Sequence, residues 1–291
     1  MSDLGALAPI VERKRLEAAA LHCGRAAIFA HAANREHAPA IERILAGGTV
    51  VAELKRRSPS GGVLRPDLDP VAVAAAYEAA GAAAISVLTD GPDFGGSLDD
   101  LVAVRAAVEI PVLRKDFVVA PVQIAEARVA GADWVLLIAA VFDDAALDEA
   151  IDAGHRCGAG VLVEVHTESD LDRAIAAGVQ CIGINNRDLR TLATDLGTFA
   201  RLRARVPAGV VTVAESGARD AADVGRLVAE GADAGDRRGG HRGRRRLARA
   251  GARARQPTSR RRRRSPCARR RGARSRGPRR RHGRRHPGGV R

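Results

Sequence analysis

The chain has 291 residues, a formal net charge of +14, 46% hydrophobic residues and only 2% aromatic ones, enough for one α/β domain of about 250 residues. The basicity is local: residues 235–291 hold 25 arginines, no lysine and one acid, Asp236, a charge of +24, so residues 1–234 carry −10. An acidic, aliphatic body of this kind is not a nucleic-acid binder along its length, and its longest apolar run, residues 134–142, is about half of a membrane span.

Cys23, Cys157, Cys181 and Cys267 are widely spaced, with no CxxC pair and no export signal ahead of them. Neither a disulfide framework nor a zinc site is expected, and a reduced, cytoplasmic setting is. At the start of the chain Asp3, Glu12, Arg13 and Lys14 alternate with short apolar groups. Residues 2–46 therefore predict one or two extra helices capping an end of a sheet.

From Val50 onward, aliphatic runs alternate with Ala-rich amphipathic stretches. The runs VVAEL, AAISVLT, PVLRKDF, WVLLIAA, VLVEVH, CIGINN and VVTVAES are seven candidate strands, with helical patterns such as 70–80 and 218–230 between them or after the last. Strands this apolar predict a parallel sheet covered by helices. Several end in polar groups: Glu53 and Lys55, Lys115 and Asp116, Glu164 and His166, Asn185 and Arg187, Glu215 and Ser216. Polar groups closing nearly every strand make most sense in a ring, so the expected fold is a (β/α)8 barrel with its site at the carboxyl ends of the strands.

Glu53 and Lys55 lie two residues apart on one strand and face the same side, where burying either unpaired costs several kcal/mol. The loop after them, with Ser58, Pro59, Ser60, Gly61 and Gly62, is rich in donors and in small residues, as anion-handling loops are. Plainer readings stand beside these. Glu53 with Lys55 fits an internal salt bridge, Lys115 with Asp116 a strand-end ion pair, GINNRDL a turn, His166 a structural histidine and Trp134 packing.

Six segments, VAELKRRSPSGG, ISVLTDGPDFGGS, PVLRKDF, VLVEVHTE, GINNRDL and VAESG, together resemble indole-3-glycerol phosphate synthase of tryptophan biosynthesis over residues 1 to about 234. The resemblance implies a TIM barrel with an N-terminal helical extension. It implies ring closure of 1-(2-carboxyphenylamino)-1-deoxyribulose 5-phosphate with loss of carbon dioxide and water, and no cofactor or metal. By the same resemblance Lys115 is the general acid for ring closure and Glu164 the base in the later dehydration. Lys55 contacts the substrate carboxylate and protonates the departing hydroxyl, with Glu53 orienting it. Asn185 and Glu215 hold the reacting groups, and Arg187 supports the site electrostatically. Phe117 and Leu136 or Ile138 wall the aromatic ring, and Ser58, Ser216 and Gly217 bind phosphate.

After residue 234 the resemblance breaks. The family continues with an apolar strand, a Gly-Glu-Ser type turn and two helices, whereas this chain reads GDRRGGHRGRRRLARAGARARQ. That composition predicts no eighth strand and no last helix. The expected organisation is a helical extension over 1–46, an incomplete barrel over 47–234 and a disordered Arg-rich tail over 235–291. A one-base frameshift near codon 234 of a GC-rich gene accounts for such a tail, and weak substrate binding and little activity are expected with it. The competing expectation is a nucleic-acid-binding protein that uses the tail to neutralise phosphates.

Overall fold

The computed structural model describes residues 4–238. Eight parallel strands close into a barrel: β1 Thr49–Leu54, β2 Ala84–Leu88, β3 Val112–Lys115, β4 Trp134–Ile138, β5 Gly160–Val165, β6 Cys181–Asn185, β7 Val211–Glu215 and β8 Ala234–Arg238. The seven sequence-predicted strands are the first seven of these. Alternate residues explain why both faces are apolar. Val51, Leu113, Leu136, Leu162 and Val213 pack inside the barrel, while Ala52, Val135, Val163, Ile182 and Ala214 belong to the layer shared with the outer helices.

Closure corrects the expectation of a missing eighth strand. Residues 234 to 238 pair with residues 49 to 53 of β1 in register, and Ala234 and Gly235 pair with Val213 and Ala214 of β7. The lead-in to β8 copies the one to β4. Gly131 and Gly231 both take positive φ, 100° and 102°, a conformation that glycine adopts without penalty. Each is followed by Ala and Asp. Asp133 accepts from the backbone N–H of Val112 at 2.9 Å, and Asp233 accepts from that of Thr212 at 2.9 Å. The Asp233 carbonyl also accepts from the N–H groups of Gly48 and Thr49. With its start fixed and two open edges waiting, a strand forms from backbone pairing without a β-branched sequence. The last helix of the family pattern and the remainder of the tail lie outside the described residues.

The N-terminal extension reaches both ends of the barrel, where the sequence predicted a cap at one. Helix α1, Ala8–Ala20, and the turn before it bring Leu7, Ile10 and Val11 onto the inner cluster. Helix α2, Arg25–Ala33, runs down the outside, with Ala32 packed against Ala125 and Cys157. Residues 38–45 then close the opposite end: Ile41 and Leu45 are buried against the barrel interior, and the Pro39 carbonyl accepts from Trp134 Nε1 at 2.9 Å. Among the outer helices, Pro70–Ala79 starts where the pattern placed it, capped by Asp69. The helix expected over 218–230 is Ala221–Ala229, beginning later because Asp220 takes the capping position.

Candidate active site

At the carboxyl ends of the strands an open-mouthed cavity with an empty volume of about 710 Å³ is lined by Glu53, Lys55, Ser58, Lys115, Phe117, Leu136, Ile138, Glu164, Asn185, Arg187 and Ser216. Residues spread over more than 160 positions of sequence thus share one cup. Glu215 lies beneath this lining and is tied to it through Lys115.

Lys115, at the end of β3, sits between two carboxylates: its Nζ donates to Glu164 Oε2 at 3.0 Å and to Glu215 Oε2 at 2.9 Å. The plainer reading of Lys115 and Asp116 as partners therefore fails. Asp116 also lines the cup, but its carboxylate is held by Arg114 at 3.0 Å, Lys14 at 2.9 Å and the Thr89 hydroxyl at 2.6 Å. Burial opposes ionisation of Asp116, but Arg114 and Lys14 outweigh it and hold its pKa down at about 2. Burial also opposes ionisation of Glu164, yet the Lys115 ammonium and then the His166 imidazole keep it well below the ordinary carboxylate range.

Asn185 orients the other oxygen of Glu164. Its Nδ2 donates to Oε1 at 3.0 Å while its Oδ1 accepts from the Arg187 backbone N–H at 3.0 Å, which fixes the amide's orientation. The Arg187 guanidinium donates to the Leu192 carbonyl at 2.7 Å, so GINNRDL is both a turn and part of the wall. Lys55 Nζ is paired with Glu53 Oε1, and both side chains are buried. Gly183 makes room below: a Cβ there would lie 2.0 Å from Glu215 Oε1.

The loop after β1 folds back on itself. Arg57–Ser58 pairs with Gly62–Val63, and Ser58 Oγ accepts from the Gly61 N–H at 3.1 Å. After β7, Ser216 holds a φ of 59° without being glycine, as does Leu192 at 60°, and both line the cavity. Backbone strain of this kind persists where the surroundings impose it and is concentrated at functional sites. Gly217 does not line the cavity. At a φ of 88° it lies under the 192–196 loop, where a Cβ would stand 2.7 Å from Leu196 and 2.9 Å from Thr194.

Sequence reading missed part of the wall. Leu7, Leu88, Phe94, Leu189 and Leu192 also line the cup, with Pro59 and Ser60. Phe94 packs on Phe117 with ring centroids 5.8 Å apart. The GPDF turn after β2 signals Phe94; nothing local signals Leu7, which arrives from the extension.

A closed parallel barrel whose mouth gathers an ammonium between two carboxylates, beside a second buried Lys–Glu pair, defines a (β/α)8 enzyme of general acid–base chemistry. Comparison with known proteins is specific. The family model of indole-3-glycerol phosphate synthase matches residues 8–235. The indole-3-glycerol phosphate synthase of Mycobacteroides abscessus is 53% identical over 188 residues, covering 65% of this chain and 69% of that protein. That of Azospirillum brasilense is 50% identical over 195 residues, covering 66% and 74%. A solved structure, the N-acetylmannosamine-6-phosphate 2-epimerase from Clostridium perfringens, superposes with a TM-score of 0.54 at 14% identity over 71% of this chain and 92% of that one. At that identity the likeness concerns fold alone. The chain belongs to the indole-3-glycerol phosphate synthase family. Its function is that of this carboxy-lyase of tryptophan biosynthesis, which acts on a small phosphorylated substrate.

Proposed function

We propose that the cup performs the reaction with Lys115 as the acid of ring closure and Glu164 as the base of dehydration. The observation that carries this is the Lys115 ammonium held at 3.0 Å from Glu164 and 2.9 Å from Glu215. Attack of the aromatic carbon on the ketone creates an alkoxide, and an ammonium held between two carboxylates can donate to it. Carbon dioxide then leaves and aromaticity begins to return. Removal of the hydroxyl requires an acid at that oxygen and a base at the ring. Lys55, oriented by Glu53, supplies the acid after first meeting the substrate carboxylate, and Glu164 supplies the base.

Asn185 and Glu215 keep these groups aligned, and Arg187 adds positive potential beside the anionic substrate. Phe117, Leu136 and Ile138 offer an apolar wall to the anthranilate ring, which keeps water out and strengthens the charges nearby. Ser58 and Ser216, on the loops after the two strands that flank β8, face the phosphate, and Gly217, outside the lining, only supports the turn behind Ser216. On the spacing of its cysteines we place the enzyme in the cytoplasm.

The test is turnover by the full purified chain, followed by the fluorescence of the indole product and by release of carbon dioxide. Product from the wild type together with its loss in Lys115→Met supports the assignment. A Lys115→Met variant as active as the wild type overturns it. The nucleic-acid alternative rests on residues that lie almost wholly outside the described ones, and no observation of the cup favours it.

A further inference from the structure

One buried group beside the cup has no part in the scheme above. His166 stands two residues beyond Glu164 on β5's exit, its side chain only 7% exposed. Its Nε2 approaches Glu164 Oε1 to 3.1 Å, yet neither ring nitrogen has a hydrogen-bond partner among the described residues. A histidine serving as packing alone would leave two buried polar atoms unsatisfied, which is costly. The mount beneath it is firm. Asp170 Oδ2 accepts from the backbone N–H groups of His166 and Thr167, and the Thr167 hydroxyl caps the Asp170 N–H in return.

The two oxygens of Glu164 have different neighbours. Oε2 faces Lys115 from β3, and through it Glu215 from β7; Oε1 receives Asn185 from β6 and has His166 beside it. When Lys115 turns its proton toward substrate, Oε2 loses its charged restraint. The carboxylate then depends on what grips Oε1. A small rotation of the imidazole converts the 3.1 Å approach into a hydrogen bond donated by Nε2–H. We propose that His166 is a positioning residue: it holds Glu164 by Oε1 so that Oε2 stays aimed into the cup as the base. This rests on the role of Glu164 proposed above.

The experiment compares His166→Leu, which removes both nitrogens, with His166→Gln, whose amide reaches about as far as Nε2, in the full chain. The Leu change is expected to lower kcat about ten-fold with KM within about two-fold, and the Gln change to keep kcat within about three-fold. Independently of turnover, the ¹³C carboxyl titration of Glu164, identified by its loss in Glu164→Gln, should move to higher pH in the Leu variant and stay in place in the Gln variant. Should the Leu variant not fold, His166→Asn replaces it, since the shorter amide cannot span to Oε1 and should behave as Leu does. Wild-type kcat and an unmoved Glu164 titration in the Leu variant, or equal losses for Leu and Gln, overturn the proposal. A wild type that fails to turn over removes the catalytic scheme instead, and the carboxyl titration still decides the role of His166.

Discussion

As the proposed acid of ring closure, Lys115 has the most specific surroundings in the cup. Replacing it by Met removes the acid and strands two carboxylates facing each other, so kcat should fall by roughly 10²–10⁴-fold; steady-state kinetics on the purified variant check this. Asp116, one residue on, belongs to stability. Its folded pKa of about 2 lies below the ordinary 3.8, so its contribution is full above pH 4 and is lost as the pH falls from about 4 to about 2. That contribution is on the order of 2 kcal/mol. Urea unfolding across this range should show a shallower acid slope in Asp116→Asn than in the wild type. Equal slopes would mean that Arg114 and Lys14 do not hold the carboxyl as the geometry places them.

At the scale of elements, Gly183 on β6 is where packing and chemistry meet. Alanine there drives a Cβ to 2.0 Å from Glu215 Oε1, so Gly183→Ala should keep the barrel, displace Glu215 from Lys115 and cut kcat at least ten-fold; circular dichroism beside kinetics separates the two effects. Gly160→Ala, in contrast, meets the buried Trp134 ring at 2.3 Å, so it should lower stability by about 1–3 kcal/mol and leave the cup alone. Much of this level was readable beforehand. Strands β1 to β7 are continuous apolar runs, most of them ending in polar residues, and that pattern points Glu53, Lys115, Glu164 and Asn185 to one face. Strand β8 was not read, because its residues lack β-forming character and the signal lies upstream, in the repeated Gly-Ala-Asp of 131–133 and 231–233. Leu7 was hidden for another reason: the path of residues 4–45 past both ends of the barrel is a long-range arrangement with no local periodicity to announce it. For His166 the sequence supports a structural histidine, since one histidine near a strand end is more often hydrogen-bonded filler than a catalyst, and it gives no sign of which carboxylate the ring will meet.

For the whole molecule, the expectation of poor activity loses one of its grounds, since β8 closes the ring. The other ground remains in the sequence: residues 239–246 read GGHRGRRR where the family places a Gly-Glu-Ser turn for phosphate. We expect the KM of the chain to exceed that of its relatives by at least ten-fold, with much less effect on kcat, because Lys115 and Glu164 lie on β3 and β5, neither of which pairs with β8; an equal KM refutes this. Re-sequencing the DNA around codon 234 tests the frameshift, which fails if restoring one base does not recover that turn and an apolar helix. If the tail is only a polycation, RNA binding should vanish when residues 239–291 are removed and should weaken steeply with salt in the intact chain.

The segment that precedes the barrel supplies part of the wall of its cup, for Leu7 lines the cavity and Lys14 is clamped at 2.9 Å to Asp116, the neighbour of Lys115. Leu7→Ser should consequently reach the substrate from outside the barrel, raising KM while the ring of strands looks intact by circular dichroism.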